Sequence, residues 1–113
     1  MSEQQSLLKQ LQKSLDDIQA IDVVVINVRE HTSVTDYMII CSGRSSRHVK
    51  AIAETVAKDM KAAGLSALSL TGLEGGDWVL IDFGDFVLHV MQPDSRNFYN
   101  LEGLWQDNPK TEL

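Results

Sequence analysis

Apolar side chains recur along this chain with two different periods, and each period predicts a different kind of element. Leu7, Leu8, Leu11, Leu15 and Ile18 step by three and four positions between polar neighbours, which predicts an amphipathic helix over residues 3–20. The run VVVINV at residues 23–28, opened by Asp22, is β-branched and too short for a helix, so it predicts a buried strand. Polar residues 29–35 read as a loop. Tyr37, Met38, Ile39, Ile40 and Cys41 then form a second apolar run, stopped by Ser42 and Gly43 in the manner of a strand entering a turn.

Val49, Ile52, Ala53, Val56, Met60 and Ala63 make the most regular helical stripe in the chain. Ser45 or Ser46 can serve as its N-cap, and Gly64 can take the left-handed conformation that ends it. Leu65, Leu68 and Leu70 resume in short apolar spacing. Residues 37–70 therefore read as one strand, helix, strand unit, for which a right-handed crossover and parallel strands are expected. After a glycine-bearing connection at 71–76, two apolar runs, 78–83 and 86–91, flank Gly84-Asp85 and predict a β-hairpin. Pro93 suits a first helical turn, and Phe98, Leu101 and Trp105 share a helical face, so a closing helix is expected at about 94–102, ended by Gly103. With no repeat or linker, the expectation is a single α/β domain, a mixed β-sheet with flanking helices, over residues 1–106, followed by a flexible tail at 107–113.

The composition narrows this picture. At 113 residues one hydrophobic core is expected, and 43% apolar with 23% charged residues argues against global disorder. No apolar run approaches the roughly 18 residues of a membrane span, and the start MSEQQSLLKQLQKSL shows no secretory signal. The lone Cys41 has no partner for an internal disulfide and fits a reducing cytoplasm. Ten basic against sixteen acidic residues give a net charge of −6 with no basic stripe, which disfavours direct nucleic-acid binding and favours a basic protein partner.

Candidate chemistry is sparse. Metal-dependent phosphoryl transfer commonly uses two carboxylates two positions apart on a strand, and no two of the sixteen acidic residues have that spacing. His31, His48, His89 and Cys41 lack metal-ligand spacing, so no metal site and no catalytic residue is expected. Gly43-Arg44-Ser45-Ser46-Arg47 brings amides, hydroxyls and guanidinium groups to a helix start. A capped helix explains it, and a nucleotide-binding or nucleotidyltransferase-type enzyme using the Ser45 to His48 turn is the alternative. Glu74, Asp77, Asp82 and Asp85 gather in sequence around the hairpin with Trp78, which is read either as a core residue or as an aromatic anchor ringed by carboxylates. The Leu7, Leu11, Leu15 and Ile18 stripe could also pack on a second copy, making a homodimer possible.

The blocks TDYMIICSG with SSRHV, DWVLIDFGDFVLHVM, and SRNFYNLEGLW together resemble the bacterial ribosomal silencing factor family, also called Iojap, in order and spacing. The resemblance implies an α/β domain with nucleotidyltransferase-like topology that lacks that fold's catalytic carboxylates and carries no cofactor. It also implies binding to the large ribosomal subunit through its ribosomal protein number fourteen, steric blocking of small-subunit joining, and repression of translation under nutrient limitation. On this reading the partner-binding residues are Glu74, Asp77, Trp78, Leu80, Asp82, Asp85, His89, Met91 and Tyr99, in a cytoplasmic protein.

Overall fold

A computed structural model describes residues 3–28 and 35–94. Helix α1 spans Glu3–Asp17, strands β1 and β2 span Ile21–Asn27 and Tyr37–Ser42, and helix α2 spans Ser46–Ala62. Strands β3, β4 and β5 span Ser69–Thr71, Trp78–Asp82 and Phe86–Met91. The five strands form one sheet in the order β1-β2-β5-β4-β3. Only β2 and β5 are parallel neighbours, and every other adjacent pair is antiparallel.

Burial explains this order. In β2 and β5 nearly every side chain is buried, so both faces of these strands need cover and both take interior places. On one face Ile39, Cys41, Val79, Ile81, Phe86, Leu88 and Val90 pack beneath α1 and α2, which contribute Leu11, Leu15, Val49, Ile52, Ala53, Val56 and Met60. On the other face Ile26, Val28, Met38, Ile40 and Met91 form a second buried cluster with Val24 and Trp78 against it. Ser14 Oγ donates to Asp59 at 2.7 Å, satisfying the polar side chains where α1 meets α2.

The structure corrects the strand, helix, strand unit. β3 runs in the same direction as β2 but is not its neighbour: β5 lies beside β2, and β3 lies at the far edge against β4. β3 is also shorter than the apolar spacing suggested. Leu68 stands outside it, 71% exposed, and within it only Leu70 is half-buried. A strand with one semi-buried apolar residue gains little from an interior place, so it takes the edge. Asp22 likewise falls inside β1 rather than before it. It adopts φ of 50° at a bulge, where Ile21 pairs with Ser42 but Val24 with Ile40, leaving one extra residue on β1. The bulge resets the alternation so that Val24 and Ile26 face the second cluster.

The hairpin forms as expected, with Phe83 N–H donating to the Phe86 carbonyl at 2.8 Å across Gly84-Asp85. Much of the stripe on α1 is spent within the chain: Leu11 and Leu15 are fully buried, and the partly buried Leu7 and Ile18 pack on the same core. Pro93 and Asp94 are helical, while the remainder of the span expected to form a closing helix and the expected tail at 107–113 lie outside the described residues. No described helix is long and apolar enough to cross a membrane.

The connection between β3 and β4 depends on glycine at two places. Gly72 has φ of 87° with the Trp78 carbonyl oxygen 2.1 Å from where a Cβ would sit, and Gly76 has φ of 71° with Ser46 Cβ at 2.6 Å. Gly75, between them, has open space and no such φ. Gly72→Ala should therefore destabilise the domain by at least about 2 kcal/mol, whereas Gly75→Ala should stay within about 0.5 kcal/mol of wild type. Urea midpoints at unchanged slope would check both.

Candidate docking face and the turn beside it

The side chains singled out around the hairpin do not converge on one point. Trp78, Leu80 and Asp82 alternate onto the sheet face away from α1 and α2, and all three are half-buried. At the open end of the hairpin lie Glu74 and Asp77, and at its turn lies Asp85, all three exposed. Four strand steps separate Trp78 from Asp82, a span of roughly 13 Å. The result is a band along β4: carboxylates at each end, Trp78 and Leu80 between them. Among the described residues, only the three-residue β3 lies outboard of it in the sheet.

Local hydrogen bonds hold the ends of the band. Asp82 Oδ1 accepts from the Gly84 amide at 2.8 Å and so closes the turn. The Asp85 carbonyl accepts from the Asp36 and Tyr37 amides at 3.0 and 3.1 Å, tying that turn to the start of β2. At the other end Gln92 acts as a clamp. Its side-chain amide donates to the Gly76 carbonyl and to Asp77 Oδ1, and its backbone amide donates to the Asp77 carbonyl. Gln92 was not singled out from the sequence, because nothing local marks a residue that binds a loop 15 positions away.

Met91 and His89 lie beside the band, on the same sheet face of the neighbouring strand β5. Met91 is fully buried opposite Trp78 in the strand register, and His89 is 6% exposed opposite Leu80. Both therefore support the face from within it. Trp78 Nε1–H donates to His89 Nδ1 at 2.9 Å, with ring centroids 5.8 Å apart. Burial holds the His89 imidazole down to about 4 from its ordinary 6.5, so the ring is neutral at pH 7 and carries its proton on Nε2. Tyr99 lies outside the described residues.

The Ser45 to His48 turn has a different chemistry from that of a phosphate cradle. Ser45 is the N-cap of α2, its side chain accepting from the His48 amide at 3.2 Å. His48, three residues on, folds back much as in a capping box, but onto the residue before the cap: Nδ1 accepts from the Arg44 amide at 2.9 Å. Its Nε2 lies 3.0 Å from the Ile18 carbonyl, to which the ring donates once Nδ1 is the acceptor. Two of the amides an anion would need are thus already paired, and the ring joins the start of α2 to the connection after α1. The spacing Ser-x-x-His was the available signal for this role. Among the described residues no group of three His, Cys, Asp or Glu is placed to hold a metal ion.

Comparison with known proteins agrees with these features. The family model described as "Ribosomal silencing factor during starvation" matches residues 1–113. A protein of Zymomonas mobilis named ribosomal silencing factor is 46% identical over 99 residues, covering 88% of this chain and 74% of that protein. A mouse protein named mitochondrial assembly of ribosomal large subunit protein 1 is 37% identical over 87 residues, covering 74% of this chain and 38% of its own length. A crystal structure from Chromobacterium violaceum superposes with a TM-score of 0.90 at 37% identity, covering 99% of this chain and 94% of that one.

The buried imidazole makes stability depend on pH. Because His89 titrates lower in the folded chain than in the unfolded one, the unfolded chain binds more protons between pH 6.5 and about 4. Its contribution is complete above pH 6.5 and is lost as pH falls toward 4, by about 3 kcal/mol in all. His89→Gln, which keeps an acceptor but does not titrate, should show a correspondingly shallower fall in urea-unfolding free energy over that window.

Proposed function

The chain belongs to the ribosomal silencing factor family, and from that premise we propose that it represses translation by occupying the large ribosomal subunit. It docks through the basic ribosomal protein number fourteen and excludes the small subunit by its own bulk when nutrients are limiting. It works by occupancy as a regulator, with no catalytic residue and no cofactor. The mouse relative's name, which refers to assembly of the large subunit, supports the choice of that subunit.

The observation that carries the docking face is the band on β4. A half-buried Trp with a half-buried Leu two residues on, flanked by exposed carboxylates at both ends, has the apolar centre and polar rim of a protein interface. A net charge of −6 suits a basic partner and would speed the encounter at low salt. No comparable feature supports the enzyme alternative at the Ser45 to His48 turn, where Ser45 Oγ and His48 Nδ1 already pair the His48 and Arg44 amides.

Trp78→Ala should weaken cosedimentation with purified large subunits by about thirtyfold, as loss of a central aromatic anchor does. Asp85→Lys reverses an exposed charge whose side chain closes no turn. It should weaken binding by about tenfold at low salt and by less at high salt. Undiminished binding of both variants would remove this face from the interface. Large and small subunits that join equally well with excess protein present would end the blocking mechanism.

A further inference from the structure

Trp78 is held by a buried acceptor, and this decides what it can offer a partner. Trp78 pairs with Met91 across the β4–β5 hairpin, so His89 is its diagonal neighbour on the same face, within reach of an aromatic side chain. The imidazole sits in a row between Leu80 on one side and Ile40 on the other, 6% exposed. Its Nδ1 atom meets the indole N–H at 2.9 Å, and the two rings are inclined at 43°. The indole nitrogen is the only polar atom of the Trp side chain, and here it is directed inward to the sheet.

We infer that His89 is a positioning residue for the docking surface: through Nδ1 it fixes the Trp78 indole, so that the part of Trp78 left to a partner is hydrocarbon. The functional consequence rests on the docking reading above, whereas the hydrogen bond can be tested without ribosomes. A tryptophan held in one orientation before binding loses less rotamer freedom on association. Its outward ring carbons suit an aliphatic surface or the methylene stem of a lysine or arginine, and they offer nothing to a hydrogen-bond acceptor. Burial favours the arrangement, because the neutral ring keeps the Nδ1 lone pair that accepts the indole proton.

The test is a double-mutant cycle on the full chain with a spectroscopic readout. The Trp78 indole N–H resonance of ¹⁵N-labelled protein, assigned by its loss in Trp78→Phe, should exchange slowly with solvent. In His89→Leu it should shift and exchange about tenfold faster, and His89→Gln, which supplies another acceptor, should largely restore it. In large-subunit binding, His89→Leu should cost about fivefold in the wild-type background and nothing further in Trp78→Phe, which has no N–H to hold. An indole resonance unmoved by His89→Leu would overturn the inference, as would an equal loss of binding in both backgrounds. Failure of the docking reading looks different: Trp78→Ala would leave binding intact while the resonance still responded to His89→Leu, which upholds the hydrogen bond that orients Trp78 and overturns its use in docking.

Discussion

The arrangement depends on one constraint: β2 and β5 are apolar on both faces and must be covered on both. Their parallel pairing at the middle of the sheet satisfies it. The hairpin then carries β4 to the next place, and β3, with a single half-buried apolar residue, is left at the edge. The same pairing brings Gly43 to the end of β5, where its amide donates to the Met91 carbonyl. The start of α2 and the open end of the hairpin thereby become neighbours, close enough that Gly76 has no room for a side chain beside Ser46.

Two histidines are used for two structural tasks, and both follow from a fixed tautomer. His48 accepts a backbone proton with Nδ1 and reaches a carbonyl with Nε2, which closes the α2 start. His89 accepts an indole proton with the same atom but lies inside the second apolar face, where charge is disfavoured. Donors at a helix start attract anions while they are unpaired, and here the Arg44 and His48 amides already have acceptors.

The proposed docking face would divide its work by position. Apolar area at its centre, Trp78 and Leu80, would support affinity, because burying it on association removes it from water. Carboxylates at its ends would act mainly on the rate and direction of approach, since exposed charges are screened by salt and contribute little once a contact is made. The alternation of β4 also gives the inner face a separate role. Val79 and Ile81 anchor the same strand to the helix-covered core, so the strand that presents the band is held from behind.

Much of this was legible in the residues. Both helices, the first two strands and the hairpin follow from apolar periodicity, because those signals are local: the three-and-four stripe of α2, its Ser45 cap, the Gly84-Asp85 turn. The family was legible in the ordered blocks for the same reason. Neighbour relations in the sheet were not. Nothing within residues 37–70 shows that β5, rather than β3, lies beside β2, since that choice is a competition for buried places settled across the whole chain. The candidate interface was read as a cluster because sequence distance hides extension; a strand spreads Trp78 and Asp82 apart and puts them on one face. That Met91 and His89 are buried on that face while Trp78 and Leu80 remain half-exposed on it was decided by the fold, because burial is a property of neighbours and only the folded sheet supplies them.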